Sequence, residues 1–338
     1  MKKLISLICV LAMVLALAAC GSSAPAAATE APAASTEAPA EDVSADKTFV
    51  VGICQLVQHP ALDAATQGFK DALTDALGDK VTFQEQNASG DSATCSLICN
   101  QFVSDEVDLI MANATASIQA AASATNTIPI LGTSITDYGV ALGVDNWTGV
   151  SGTNISGTSD LAPLDGQAAM IQELFPDAKT IGLLYCSGEP NSIFQADSME
   201  ALLTDMGYSV ERYTFADSND VSSVTANACS NSDVLYIPTD NTAASCTEAI
   251  NNVALSAGIP IVAGEEGLAS GCGVATLSIS YYDLGRATGE MAAEILTEGA
   301  DVSTMEVRFA PAFTKEYNAD ICEALNITVP DDYVAIAK

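Results

Sequence analysis

Asp108-Leu-Ile-Met-Ala-Asn-Ala-Thr115 and Asp233-Val-Leu-Tyr-Ile-Pro-Thr-Asp240 share one pattern, an apolar run followed by polar residues, and this pattern decides the fold. Each run is followed by a second matched segment, Asn126-Thr-Ile-Pro-Ile-Leu-Gly132 in one half and Ala257-Gly-Ile-Pro-Ile-Val-Ala-Gly264 in the other. The order in both halves is therefore strand, helix, Ile-Pro-Ile strand and glycine-containing loop. Such a repeat predicts an α/β protein of two similar lobes, each a doubly wound parallel sheet.

Short apolar strands and amphipathic helices alternate along the rest of the chain. In the first half, strands are predicted at 48–53, 81–86, 108–112 and 129–132, and helices at 61–77, 93–103 and 116–125. In the second half, helices at 161–174 and 193–206 alternate with strands at 180–185 and 209–215. Fully apolar short strands between helices indicate parallel sheets that are covered on both faces.

The loops that follow the strands are the candidate binding site, because open parallel sheets bind ligands beyond the carboxyl ends of their strands. Two lobes that face each other would form a cleft between these loops. The loops are rich in Ser, Thr, Asn, Asp and Glu, which is also what solvent exposure alone would produce. They span residues 55–60, 87–91, 113–117 and 133–137 in the first half, and 186–192, 216–220, 239–242 and 264–266 in the second.

Two of these loops suit the two ends of an α-amino acid. Thr115 and Ser117 lie at a predicted helix start, where hydroxyl and backbone N–H groups can bind a carboxylate. Asp240, in the turn Asp240-Asn241-Thr242 of the other half, can bind an ammonium group. Helix capping is the alternative role of both turns. His59, just before Pro60 at a predicted helix start, is either a ligand contact at the cleft edge or a helix-start residue.

Catalytic and metal-binding motifs are absent from the sequence. There is no G-x-S-x-G, H-E-x-x-H or G-x-x-x-x-G-K-[ST] motif, and His59 is the only histidine. There is also no C-x-x-C motif, so a zinc site is not expected. We therefore expect no enzyme activity and no cofactor. A hydrolase with two carboxylates is the weaker alternative, because no pair of acids stands out among the 43.

The N-terminus predicts a lipoprotein. Lys2 and Lys3 precede an apolar run that ends in Leu17-Ala18-Ala19-Cys20. This layout predicts a signal peptide over 1–19 and lipid attachment at Cys20. An ordinary signal peptide is the alternative, and the run is shorter than the ~20 residues of a membrane span. Residues 21–47 are almost entirely Ala, Pro, Ser, Thr and Glu and include repeated TEAPA units, which predicts that 20–47 is a lipidated cysteine followed by a disordered linker.

The net charge of the chain limits the macromolecules that it can bind, and its cysteine count bears on disulfide formation. With 11 basic and 43 acidic residues, the formal charge is −32, which argues against nucleic acid and against anionic lipid. Membrane attachment would then be through the N-terminal lipid only, at the extracytoplasmic face of the cell membrane, and the protein is expected to be a monomer. Eight cysteines remain beyond Cys20, and we expect mostly free thiols, with a disulfide framework as the alternative.

Several segments resemble a family of ABC-transporter substrate-binding lipoproteins of the tryptophan and tyrosine type. The stretch from Val51 to Phe69, VGICQLVQHPALDAATQGF, and Pro238-Thr-Asp-Asn-Thr242 carry the resemblance most specifically. Shorter matches are Ala114-Thr-Ala-Ser-Ile-Gln119, Asn154-Ile-Ser-Gly-Thr-Ser-Asp160, Tyr185-Cys-Ser-Gly-Glu-Pro-Asn-Ser192 and Tyr282-Asp-Leu-Gly285. Cys54 and Cys186 stand where the family would have small polar residues. The resemblance covers about residues 48–335.

The resemblance implies a type I periplasmic-binding-protein fold, the Venus flytrap architecture, with a small-molecule ligand in the cleft. It implies lobes of 48–160 plus 281–312 and of 161–280 plus 313–338, with crossings near 158–163, 280–283 and 311–315. It implies an aromatic or large apolar amino acid as ligand, and an ABC permease and ATPase as partners. A sensing receptor, or a ligand such as a sugar or nucleoside, is the alternative. The implied cleft residues are Thr115, Ser117, Asp160, Glu189, Asn191, Ser192, Asp240 and Asn241.

Overall fold

A computed structural model describes residues 47–337, and their contacts join them in one compact unit. The predicted signal peptide, Cys20 and all but the last residue of the predicted linker lie outside the described residues. No helix within 47–337 has the length and apolar character needed to cross a membrane.

The first sheet holds the first half of the chain. Its strand order is β11-β5-β4-β3-β1-β2, and all of its pairings are parallel. Strands β3, β4 and β5 are buried along their whole length, which explains their continuous apolar or small sequences. The strands are β1 Phe49–Gln55, β2 Val81–Asn87, β3 Leu109–Asn113, β4 Ile130–Ile135, β5 Ile155–Ser159 and β11 Arg308–Phe309. The helices around it are α1 Pro60–Leu77, α2 Ser92–Ser104, α3 Thr115–Ala124, α4 Tyr138–Leu142 and α11 Tyr281–Glu298.

The second sheet repeats this plan. Its order is β13-β12-β10-β9-β8-β6-β7, and the pairings are parallel except that β12 runs antiparallel to β10. The strands are β6 Thr180–Cys186, β7 Ser209–Phe215, β8 Val234–Ile237, β9 Ile261–Ala263, β10 Ala275–Ser278, β12 Thr314–Tyr317 and β13 Val334–Ala335. The helices are α5 Leu164–Leu174, α6 Pro190–Asp205, α7 Val221–Asn231, α8 Asn241–Ala244, α9 Thr247–Ala257, α10 Glu266–Gly271 and α12 Ala319–Ala324.

The chain passes between the two sheets three times: after β5, after β10 and after β11. These are the places where the sequence predicts crossings, whereas the residue bounds of the two lobes stay a prediction. Two helix starts differ from the predicted ones. The helix predicted from 161 begins at Leu164, after Pro163. The helix predicted from 193 begins at Pro190, which supplies the fixed φ that suits a first helical turn.

Helix α1 packs on α11 through glycines that let the two backbones touch. A Cβ atom on Gly285 would overlap the carbonyl of Ala65, and one on Gly68 would overlap the carbonyl of Tyr282. Because α1 follows the first strand and α11 follows the second crossing, this contact returns the chain to the first sheet.

All eight cysteines within the described residues are unpaired, as the sequence indicated. Seven are buried and Cys246 is partly exposed. Within the described residues, no group of three or more His, Cys, Asp or Glu side chains is arranged to hold a metal ion.

The α1–α11 contact generates a stability prediction. Gly285→Ala should lower the free energy of unfolding by about 1 to 3 kcal/mol, because the added methyl group forces the two helices apart. Glu290→Ala, on the exposed face of the same helix, is the matched control and should stay within about 0.5 kcal/mol of the parent. Urea unfolding measures both. Equal stabilities for the two variants would show that the helix pair is looser than described.

Candidate functional site

Loops from both sheets meet around one small cavity at the carboxyl ends of the strands. The centre of a water molecule can occupy a volume of about 10 Å³ between these loops, so the cavity has room for about one water. Loops after β1, β4 and β5 contribute from the first sheet, and loops after β6, β8 and β9 from the second. The lining residues are His59, Leu62, Ser134, Thr136, Asp160, Asn191, Thr239, Asp240, Asn241, Ala244, Glu265 and Tyr281.

Three buried polar atoms of this cavity have no hydrogen-bond partner among the described residues: His59 Nδ1, Ser134 Oγ and Asp160 Oδ1. Leaving such a group unpaired costs about 1 to 3 kcal/mol. Only six side-chain atoms in the described part of the chain share this condition, and half of them meet here. The concentration of unpaired atoms in one cavity indicates a place for polar groups of a ligand.

Asp160 is a buried carboxylate with one free oxygen. Tyr281 donates its hydroxyl to Oδ2 at 2.9 Å, whereas Oδ1 is unpaired. Burial raises the pKa of Asp160 to about 6. No lysine or arginine lines the cavity to offset its charge. A cationic group of a ligand would therefore find both a free acceptor and an uncompensated negative charge at this residue.

Glu265 is a second buried carboxylate, which precedes and caps α10. Its two oxygens accept the backbone N–H groups of Gly267 and Leu268, each at 2.5 Å. Burial raises the pKa of Glu265 to about 7.

Asp240 lines the cavity and also caps a helix, the alternative role that its sequence position allowed. Its oxygens accept the N–H groups of Cys186 at 2.6 Å and of Ala243 at 2.8 Å. Burial, and then the charge of Glu189, raise the pKa of Asp240 above its usual range. Because both oxygens already accept hydrogen bonds, Asp240 has less capacity than Asp160 for an ammonium group.

Glu189 supports the site from behind and does not line the cavity. It accepts the side-chain N–H of Asn241 at 2.7 Å and the N–H and hydroxyl of Thr242 at 2.8 and 2.7 Å. Because the Asn241 amide nitrogen faces Glu189, its oxygen faces His59 Nε2, 3.3 Å away. Nε2 is then the donor, and Nδ1 of His59 is left as an acceptor. Burial lowers the pKa of His59, which keeps the ring neutral.

The start of α3 differs from what the sequence predicted. Ser117 does not reach the cavity, because its hydroxyl lies 3.7 Å from the sulfurs of both Cys54 and Cys95 in the core. Residues two apart on a helix do not face the same side, so Thr115 and Ser117 cannot act as a pair. Thr115 is buried and is absent from the cavity lining. Ser192 is also outside the lining, fully buried beside Asn191.

The backbone at the same place is unusual. Ala114, the N-cap of α3, has φ 87° and no side chain that can cap the helix. Ser134, with φ 56°, follows Thr133, whose carbonyl accepts the N–H of Ala114. Two neighbouring strands therefore end in left-handed residues that are not glycine, an arrangement that costs about 1 to 3 kcal/mol per residue. The uncapped start of a ten-residue helix and the unpaired Ser134 hydroxyl thus lie at adjacent strand ends.

Five of the nine predicted site residues line the cavity: His59, Asp160, Asn191, Asp240 and Asn241. Sequence reasoning did not single out Ser134, Thr136, Thr239 or Glu265, although each lies in a strand-end loop that it did name. Tyr281 is the one Phe, Tyr or Trp residue among the lining residues of the cavity. Tyr138 stacks on Trp147 at 5.7 Å within the first sheet's core, and Tyr282 donates to Asp71 on the surface.

Two hydrogen bonds cross the cleft on either side of the cavity. One joins His59 and Asn241, and in the other Gln195 Nε2 donates to Thr136 Oγ1 at 3.3 Å. Helix α4 also packs against α6. These contacts hold the loops of the two sheets together, so the cavity is closed.

Two solved structures of related sequence match this chain to different degrees. A Streptococcus pneumonia ABC domain in complex with L-Trp is 31% identical, with a TM-score of 0.80, over 84% of this chain and 97% of that one. The ligand-free, open structure of a Clostridium difficile substrate binding protein with adhesive properties is 37% identical, with a TM-score of 0.66, over 86% of this chain and 100% of that one. The arrangement of the two halves is therefore nearer to the tryptophan complex, although the sequence is nearer to the open protein.

Sequence comparison gives the family. A curated "Tyrosine-binding protein" of Clostridioides difficile strain R20291 is 39% identical over 280 residues, 82% of this chain and 81% of that protein. The sequence model of the ABC transporter substrate binding protein family matches residues 50–338. The two α/β halves, the closed polar cleft and these matches agree: this chain belongs to the ABC transporter substrate binding protein family, with the type I periplasmic-binding-protein fold.

Proposed function

We propose that this chain is an extracytoplasmic lipoprotein of an ABC importer that binds a free aromatic or large apolar amino acid in the cleft, without chemical change. The observation that carries the proposal is the cavity between the two sheets, where buried carboxylates and unpaired polar atoms meet with no lysine or arginine among the lining residues.

The ammonium group of the ligand would bind at Asp160. The free Oδ1 of Asp160 and the acceptor nitrogen of His59 both face the same cavity. Glu265 adds negative charge at its wall. Charge-assisted hydrogen bonds in a buried site are the strongest that these groups can make, and an ammonium group supplies three donors.

The carboxylate of the ligand would bind at the adjacent ends of β3 and β4. There the uncapped start of α3 offers backbone N–H groups, and Ser134 offers a hydroxyl. Helix starts favour anions, whereas the starts of α8 and α10 are already occupied by Asp240 and Glu265. The sequence assigned this role to the hydroxyls of Thr115 and Ser117; the proposal moves it to the backbone and to Ser134.

An amino acid does not fit in a space of about 10 Å³, so binding requires that the cleft open and then close less tightly than here. The proposed ammonium and carboxylate contacts, at Asp160 and Ser134, lie in loops of the first sheet. Asp240 and Glu265, from loops of the second sheet, line the same cavity and would contact this ligand only when the cleft closes, so the ligand would favour the closed form. The large side chain is supported by the relatives, one named as tyrosine-binding and one bound to L-Trp.

Lipid attachment at Cys20 generates the first test. Replacing Cys20 with Ala should release the protein from the membrane fraction, because the remaining described chain has no membrane-spanning helix. Fractionation of cells that express each form, followed by immunoblotting, measures this release. A variant that sediments with membranes as firmly as the parent would refute the anchor.

The ammonium site generates the second test. A panel of the twenty amino acids should contain at least one that raises the melting temperature, since a ligand at 100 times its Kd adds about 2.7 kcal/mol. Asp160→Asn should then weaken binding of that amino acid by roughly 2 to 5 kcal/mol. Asp145→Asn, at an exposed loop position, is the matched control. Normal binding by Asp160→Asn would contradict the proposal. So would a melting temperature that a sugar or nucleoside raises while none of the twenty amino acids does.

The buried acids generate a third test, on pH. Burial raises the pKa of Asp160 to about 6 and of Glu265 to about 7, whereas an ammonium group requires ionised carboxylates. Binding should therefore release protons near pH 6.5, and the Kd should rise as the pH falls from about 8 to 5. Calorimetry in buffers of different ionisation enthalpy measures the number of protons released. An unchanged Kd over this range would exclude ionisation of these acids on binding.

The same raised pKa values predict how the free energy of unfolding changes with pH when no ligand is added. A carboxyl group whose pKa is raised by folding contributes stability below its unfolded pKa, about 4, and this contribution is lost as the pH rises through the folded pKa. For Asp160 the loss is about 3 kcal/mol, from a pKa of about 4 to one of about 6. The stability of Asp160→Asn relative to the parent should therefore increase between pH 4 and pH 8.

A further inference from the structure

A second cavity of about 300 Å³ adjoins the small polar cavity described above, which we call the ligand cavity. The two share Tyr281 and Glu265 as lining residues. The remaining walls come from the start of α1, from α10, from Ser280 and Tyr282, and from Ile336 and Ala337 near the end of the chain. We call this cavity the rear compartment.

We propose that the rear compartment receives the side chain of the bound amino acid, while the small polar cavity binds its ammonium group. This inference rests on the proposed function and adds to it the position that selects the ligand. The small cavity has room for about one water, so a large side chain must extend out of it. A volume of about 300 Å³ lies at the lower end of the range for small-molecule sites.

The walls of the rear compartment suit an aromatic or large apolar group. Tyr281 and Tyr282 are both among its lining residues, together with Pro60, Ala61 and Ala64 at the start of α1. Small residues keep the space open: a Cβ atom at Gly267 would lie 3.0 Å from the Glu265 carboxylate and 3.4 Å from Pro60. Flat rings pack on such surfaces by burying large areas.

Tyr281 separates the two cavities and is positioned to respond to the ligand. Its hydroxyl donates to Asp160 Oδ2 at 2.9 Å. An ammonium group bound at the free Oδ1 would lie beside this hydrogen bond, on the same carboxylate that holds the tyrosine side chain. The α-carbon of the ligand, next to its ammonium group, would then lie beside the opening to the rear compartment.

A third cavity, the front compartment, is the competing destination. It measures about 360 Å³ and shares Asn241 with the ligand cavity. Its lining combines the acids Asp91, Glu189 and Asp217 with the apolar Leu56 and Val57 and with Ala116 of α3, and it includes no Phe, Tyr or Trp. It is comparable in size and also opens between the two sheets, so it provides the matched control.

The test fills each compartment with a phenyl group. Ala64→Phe and Ser270→Phe fill the rear compartment from opposite walls, and Ala216→Phe fills the front one. Ser270 and Ala216 are exposed, so these two variants are expected to fold, as melting temperatures will check. Titration calorimetry with L-tyrosine and with L-tryptophan gives the Kd of each variant.

Both rear variants should bind the better of these two amino acids at least tenfold more weakly than the parent, and the front variant should stay within threefold. Parent-like binding by Ser270→Phe, or an equal loss in Ala216→Phe, would overturn the inference while the proposed function stands. If the parent binds neither these two nor any other aromatic or large apolar amino acid, it is the proposed ligand class that fails. If Ala64→Phe does not fold, Ser270→Phe decides the question.

Discussion

Three buried carboxylates, Asp160, Asp240 and Glu265, line one cavity that contains no lysine or arginine, and the local structure depends on how their charge is tolerated. An unpaired buried charge costs several kcal/mol, so each group needs hydrogen-bond donors or a proton. Asp240 and Glu265 take backbone N–H groups at the starts of α8 and α10. Asp160 takes the Tyr281 hydroxyl and keeps one oxygen free. The cavity therefore keeps an unpaired carboxylate oxygen at Asp160 with no basic side chain to balance its charge. This is the group at which we propose that the ammonium of the ligand binds.

Helix starts at the cleft are of two kinds. Those of α8 and α10 are capped by an acidic side chain, whereas that of α3 has no side-chain cap. Where an acidic residue caps the helix, as at α8 and α10, the helix dipole is already neutralised. Glu189 extends this support, because it orients Asn241 and through it the tautomer of His59. At α3 the cap is Ala114, in a strained conformation that leaves the helix start open. Strain of this kind persists only where surrounding structure enforces it, and here it coincides with an unpaired serine.

Closure of the cleft brings polar groups of the two sheets together. The His59–Asn241 and Gln195–Thr136 hydrogen bonds cross the cleft on polar side chains that a ligand could also engage. The two halves are arranged more as in the tryptophan complex than as in the open, ligand-free relative. A ligand that bridges both groups of loops would stabilise this arrangement by its differential affinity for the closed form.

The sequence alone predicted the main strands and helices of both halves, the two-lobed α/β class and the strand-end loops that line the cavity. It could do so because helix and strand periodicity are local, and because parallel strands all end at one edge of a sheet. The paired segments at Asp108 and Asp233 thus lie in equivalent strands, β3 and β8. Tertiary structure decided which side chain within each loop faces the cavity. The Ser117 hydroxyl lies against Cys54 and Cys95 in the core, and Glu189 accepts hydrogen bonds from behind the site. Ser134 and Glu265 instead line the cavity. These outcomes depend on backbone angles, such as φ at Ala114 and Ser134, and on contacts between residues more than a hundred positions apart, which local patterns do not encode.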